Sequence, residues 1–107
     1  MSKTTVSPHG HRTLEDIVQT LRGHLPTLRE KYGVKTLAVF GSYVRGSQRK
    51  RSDVDILVEY EKAPSMFRFI DLQEYLSGIL GMKVDLVMKT ALKPAIGERI
   101  LAEMVPV

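Results

Sequence analysis

Asp53 and Asp55 stand two residues apart at the head of an alternating stretch, Ser52-Asp53-Val54-Asp55-Ile56-Leu57-Val58. On a β-strand, residues at i and i+2 point to the same side, with Cα atoms ~7 Å apart. Two carboxylates so placed can lean together on a hard cation. Mg²⁺ suits them, because it takes oxygen ligands and is usually held by one or two carboxylates plus substrate phosphates. Without a cation, the crowding would raise one pKa and leave that carboxyl protonated. A third carboxylate, Asp85, sits between Val84 and Leu86 in a later apolar stretch. Each group also has a plain structural reading: Asp53 can end a turn, and Asp55 and Asp85 can face solvent on a sheet. An Asp-x-Asp pair alone is weak evidence for a metal.

What precedes the pair strengthens the chemical reading. Gly41-Ser42 falls where an apolar run gives way to a short helical segment. Glycine lets a backbone approach a ligand closely, and N–H groups at a helix start attract phosphate. The Ser42 hydroxyl can donate one more hydrogen bond to a phosphate oxygen. The ordinary alternative is a helix start with Ser42 as its N-cap, and the two are compatible. No Gly-Lys-Ser or Gly-Lys-Thr follows, so this is not a Walker A loop. Arg45, Arg49, Lys50 and Arg51 crowd into seven residues. Such a cluster is commonly a solvated loop, but beside Gly41-Ser42 it can also hold an anion. Carboxylates that bind cations on one side, with Ser42, backbone N–H groups and Arg45 on the other, form the layout a metal-assisted phosphoryl or nucleotidyl transfer needs.

These residues need elements to position them. Thr13-Leu-Glu-Asp16 resembles a capping box, and Leu14, Ile17, Val18, Leu21, Leu25 and Leu28 follow at helical spacing. Pro26 divides that face, which predicts one helix near 13–23 and a second from Pro26 to Gly33. Val34–Phe40 is β-rich and apolar apart from Lys35 and Thr36, a largely buried strand ending at Gly41. A helical turn begins near Ser42, and the polar stretch 46–52 is a loop. The alternation over 53–60 predicts a second strand with both aspartates on one face. Ala63-Pro64-Ser65 breaks the chain before a helix over 66–80 stopped by Gly81. A third strand covers 83–89, a last helix runs from Pro94 to about Glu103, and a short terminal strand covers 104–107. Strands alternating with helices predict an α/β fold, helices packed on a small sheet. Periodicity leaves open whether that sheet is parallel or mixed.

Composition bounds the rest. The 107 residues, 43% apolar and 26% charged, make one globular domain of 13–107 behind a loose polar lead-in of 1–12. A chain this short buries about two-thirds of its unfolded surface, so oligomerisation or a partner would add stability. With no cysteine there is no disulfide framework, thiolate zinc site or cysteine nucleophile, which fits a cytoplasmic protein. No stretch is long and apolar enough to span a membrane or to serve as a signal sequence. His9, His11 and His24 read as surface residues.

The set as a whole resembles the DNA polymerase β-type nucleotidyltransferase superfamily: Gly41-Ser42, ten intervening residues, Asp53-x-Asp55 followed by apolar residues, then Asp85 on a later strand. The wording Gly-Ser-Tyr-Val-Arg-Gly…Ser-Asp-Val-Asp-Ile-Leu-Val, and the late Leu92-Lys93-Pro94…Glu98-Arg99-Ile100, are similar to its minimal nucleotidyltransferase (MNT) group. The resemblance spans about residues 13–105. It implies a mixed sheet, two Mg²⁺ ions and attack by a nucleophile on the α-phosphate of ATP or another nucleoside triphosphate. It also implies roles: Asp53 and Asp55 ligate both metals, Asp85 ligates the catalytic metal and helps deprotonate the acceptor hydroxyl, and Gly41 and Ser42 hold the β- and γ-phosphates with help from Arg45. Family members of this size resemble the antitoxin half of HEPN/MNT toxin–antitoxin pairs, in which AMP is transferred to a tyrosine of the HEPN ribonuclease. The partner's Arg-x4–6-His motif is absent here, so the chain is not a fused toxin.

Three readings follow. The first is an Mg²⁺-dependent adenylyltransferase acting as antitoxin of a HEPN partner. The second is a binding module that neutralises its partner by complex formation alone. The third is a nucleic-acid-binding protein, suggested by a pI near 9.5. An aromatic content of 7%, no tryptophan and no nucleic-acid-reading motif argue against the third.

Overall fold

The computed structural model describes residues 13–49 and 53–107. The predicted lead-in 1–12 with His9 and His11, and Lys50, Arg51 and Ser52, lie outside the described residues.

The first helix, α1 (Leu14–Gly23), starts on the predicted capping box. The Asp16 N–H donates to Thr13 Oγ1 at 3.1 Å, and the Thr13 N–H donates to Asp16 Oδ2 at 3.2 Å. Reciprocal caps of this kind satisfy two otherwise orphaned donors. Then α2 (Leu25–Tyr32) carries Pro26 in its first turn, where the missing N–H costs nothing, and ends on Gly33 at φ +70°. His24 joins the two helices. It is half-buried rather than a surface residue, with Nδ1 2.9 Å from the Thr20 carbonyl and its ring edge-on to Tyr75.

The remaining elements are β1 (Val34–Phe40), α3 (Ser42–Arg45), β2 (Val54–Tyr60), α4 (Met66–Leu80), β3 (Val84–Met88), α5 (Pro94–Glu103) and β4 (Val105–Pro106). A 3-10 turn at Lys89–Ala91, which no periodicity announced, links β3 to the α5 approach. The four strands lie in the order β3-β2-β1-β4. β1 pairs antiparallel with both β2 and β4, while β2 and β3 are parallel. The sheet is therefore mixed, as the resemblance implied. The parallel pair needs a crossover, and α4 supplies it.

The two faces of the sheet are unequal. On one, Ile17, Leu21, Leu28, Leu72, Leu76 and Leu80 from α1, α2 and α4 pack on Val39, Ile56, Val58 and Val84, all essentially without solvent contact. Each such side chain contributes on the order of 1.5–3 kcal/mol. On the other, a thin layer of Ala38, Phe40 and Leu57 meets Leu92, Ile100 and Met104 around α5. Strand parity puts Asp55 with Leu57, and Asp85 with Val87, on this second face. The large core thus fixes the sheet and leaves its other side to the carboxylates.

β3 is an edge strand, and α4 covers its free donors. The Val84 N–H donates to Ser77 Oγ at 3.2 Å, and the Leu86 N–H donates to Gln73 Oε1 at 3.1 Å. Such caps keep an edge from pairing with other chains. They also anchor the strand that carries Asp85.

Candidate active site

The site begins where β1 ends. Phe40 is the register partner of Asp55, so the next residue, Gly41, lies against the Asp55 carboxyl. Gly41 has φ +82° and ψ −148°, a backbone state that side chains rarely adopt. A Cβ built there would run into Asp55 Oδ2. Only glycine allows this approach. Gly41 is itself the N-cap of α3, and its carbonyl accepts from the Val44 and Arg45 N–H groups at 3.0 and 3.1 Å. Ser42 is therefore not the cap that the ordinary reading supposed. It occupies the first helical position, and its hydroxyl has no partner among the described residues.

Asp55 and Asp85 are register partners across the parallel strands β2 and β3. Asp53 stands just before β2. Its Oδ2 is 4.0 Å from Lys83 Nζ in an exposed pair that contributes little. The three acids act on one another. Burial first, then the charges of Asp85 and Asp53, then a hydrogen bond with Asp85, push the Asp55 carboxyl up to about 6, against the opposing charge of Arg45. Tyr43 is buried in α3, and burial followed by the Asp53 charge raises its phenol above the ordinary value.

Arg45 acts on Asp55 through its charge, but its hydrogen bonds go to Glu103. Its Nη1 donates to both Glu103 oxygens, at 3.1 and 2.9 Å. The same carboxylate accepts the Gly41 N–H at 3.1 Å. These contacts hold the Glu103 carboxyl below its ordinary range, the Gly41 N–H contributing most. Glu103, from the end of α5, thus ties down the glycine and the first basic residue of the α3 loop. The partners are 62 and 58 residues away in sequence, and no local pattern could have disclosed them.

Between α5 and the end of β1 lies a cleft of about 360 Å³. Phe40, Gly41, Arg45 and Asp55 line one side; Ile96, Arg99, Ile100 and Glu103 of α5 line the other. Arg99 is a second site residue that local sequence reasoning did not assign.

A model of the nucleotidyltransferase domain family matches residues 21–107. The chain belongs to that family. The nucleotidyltransferase is 53% identical over 93 residues, covering 87% of this chain and 94% of the relative, to Protein adenylyltransferase MntA of Thermococcus cleftensis. A Methanocaldococcus jannaschii protein, provisionally named protein adenylyltransferase MJ0128, is 50% identical over 77% of this chain and 84% of its own length. Among solved structures, one described provisionally as a minimal nucleotidyltransferase superposes with a TM-score of 0.75 at 34% identity, over 91% of this chain and 98% of that one. A toxin–antitoxin structure with AMP-PNP shares the fold at a TM-score of 0.63 and 24% identity, over 84% of this chain and 68% of that one.

The donors of the nucleotidyltransferase fit a hard divalent cation. All three are carboxylates, the ligands Mg²⁺ prefers, and their mutual repulsion is what a cation relieves. Among the described residues no three His, Cys, Asp or Glu side chains, the three aspartates included, come close enough together to hold a metal ion by themselves. Mg²⁺ is usually held by one or two carboxylates with substrate phosphates and water completing its shell, so the register pair Asp55 and Asp85 supplies the number of protein ligands it takes. No helix among the described residues is long and apolar enough to cross a membrane.

Proposed function

We propose that the chain is a protein adenylyltransferase that transfers AMP from ATP to a hydroxyl of a partner toxin, acting as its antitoxin. The observation that carries this reading is the pairing of Asp55 with Asp85 across β2 and β3, with Asp53 beside them and Gly41 packed on Asp55. The names of the relatives support the nucleotide and the protein acceptor. The fold shared with the antitoxin of a Shewanella oneidensis complex, in which a HEPN toxin is tri-AMPylated, supports a HEPN partner; a tyrosine hydroxyl is the acceptor that the sequence resemblance implies.

Asp53, Asp55 and Asp85 would hold Mg²⁺, two ions by analogy with phosphoryl-transfer sites. When bound, Mg²⁺ neutralises phosphate charge and makes the α-phosphorus more electrophilic. The chain's own residues do the rest. Ser42 offers its hydroxyl and N–H to the β- and γ-phosphates, while Gly41 brings that backbone against Asp55. Asp85 is exposed, and its carboxylate takes the proton of the acceptor hydroxyl. The acceptor oxygen then bonds to the α-phosphorus, the bond from that phosphorus to the α–β bridging oxygen breaks, and pyrophosphate leaves. Held Arg45 steadies the loop more than it binds phosphate.

A second reading, neutralisation by contact alone, draws on the apolar side chains Met66 and Phe67 of α4, which are 71% and 81% exposed. The intact mass of the partner after co-expression separates the two. AMP added by the wild type and not by Asp53→Asn/Asp55→Asn supports transfer; a blocked, unmodified partner supports contact alone.

A further inference from the structure

We propose that Arg99 on α5 is the cation that contacts the nucleotide's polyphosphate, the part that spacing alone gives to Arg45. The inference rests on the nucleotidyl-transfer reading above.

Position comes first. α5 covers the same sheet face that carries Asp55 and Asp85, and Arg99 lines the cleft opposite Gly41 and Asp55. A polyphosphate entering that cleft brings negative charge to a wall already built of carboxylates. Fixed cations aimed at such charge are what make the site work.

Charge comes second. Arg45 is half-exposed but committed: one of its nitrogens bonds both oxygens of Glu103. That pairing offsets the charge of Arg45 and anchors its head group on Glu103, so a phosphate would have to share it, with the Nη2 and Nε donors left to offer. Arg99 lies one helical turn before Glu103 and feels its charge. It makes no ion pair with a described residue, and no hydrogen bond from its side chain joins it to one. It is exposed, so it can turn to a ligand without first losing a partner.

Chemistry comes third. A guanidinium presents paired N–H donors that match two phosphate oxygens at once, which an ammonium cannot do. Ile96 and Ile100 stand beside Arg99 along the same cleft and can hold its aliphatic stem while the guanidinium reaches the ligand.

The test is titration calorimetry of the full chain, with Mg²⁺ present, using a non-hydrolysable ATP analogue, AMP and inorganic tripolyphosphate. Wild type is compared with Arg99→Gln, Arg99→Lys and Arg45→Gln, each first confirmed to be fully folded at the temperature of the titration. Arg99→Gln should weaken the ATP analogue and tripolyphosphate by roughly tenfold or more, the usual worth of a charged hydrogen bond. AMP should change little, Arg99→Lys should recover part of the loss, and Arg45→Gln should lose less than Arg99→Gln. If Arg99→Gln binds the analogue and tripolyphosphate as wild type does, the role of Arg99 is overturned while the nucleotidyl-transfer reading stands. If wild type binds none of the three probes, both fall together.

Discussion

Asp55 and Asp85 are cross-strand register partners on β2 and β3. Neighbouring strands lie about 4.8 Å apart, closer than the ~7 Å between Cα atoms two residues apart on one strand. The strongest like-charge crowding of Asp55 therefore comes from across the sheet, and Asp85 precedes Asp53 among the charges that raise its pKa.

This crowding has a pH signature in the metal-free protein. The Asp55 carboxyl is raised from an ordinary 3.8 to about 6. A raised carboxyl contributes stability below its unfolded pKa, and that contribution is lost as pH rises through about 6. Melting temperatures in a chelator should therefore fall over that window. Asp55→Asn should flatten the fall and be the more stable protein at neutral pH, by about 1 kcal/mol after allowance for solvent screening. Mg²⁺ should raise the melting temperature of wild type and not of the variant. An Asp55→Asn protein less stable than wild type without metal would contradict the crowding.

Gly41→Ala should be costly on two counts, the left-handed backbone and the collision with Asp55. A loss of ~1–3 kcal/mol in urea unfolding is expected. Gly78, in α4 with open space around its Cβ position, is the control. Gly78→Ala should stabilise by about 0.5–1 kcal/mol.

Glu103 and Arg45 should act as a unit. Glu103→Gln should lower the melting temperature at neutral pH. Because the Glu103 carboxyl is held below its ordinary value, its contribution is present above the unfolded pKa and lost as pH falls. The gap between variant and wild type should therefore close in acid. Arg45→Gln added to Glu103→Gln should cost less than the sum of the two singles; simple additivity would mean the pair is not coupled.

Ser77→Ala and Gln73→Ala should each uncover one donor on the β3 edge, at about 1 kcal/mol apiece. Amide exchange should speed up at Val84 for the first and at Leu86 for the second. Equal protection in the variants would show that these side chains do not cap the edge.

Much of this was legible because it is local. Period-two alternation over 53–60 announced β2 and the side on which Asp55 lies, although the strand begins at Val54 and leaves Asp53 just before it, and the capping box at Thr13, Pro26, Gly33 and Gly81 marked helix ends with known chemistry. The β1 burial pattern, broken only at Lys35 and Thr36, followed from side-chain type. What stayed hidden depends on distant pairing. Strand parity cannot say that Asp85 would align with Asp55 rather than with a residue one step away. Nor can the helical pattern of α5 say that it covers the carboxylate face, puts Arg99 over the cleft and sends Glu103 back to Gly41. Ser42 was misplaced as a cap because Gly41, without a side chain, offers no capping signal of its own.

Transfer to a protein by the three aspartates is open to one decisive measurement. The test is co-expression of the chain with a HEPN toxin from the same genome, followed by the intact mass of that toxin. One or more AMP units are expected on the partner with wild type and none with Asp53→Asn/Asp55→Asn. An unmodified partner, bound and silenced equally by both proteins, would contradict that expectation.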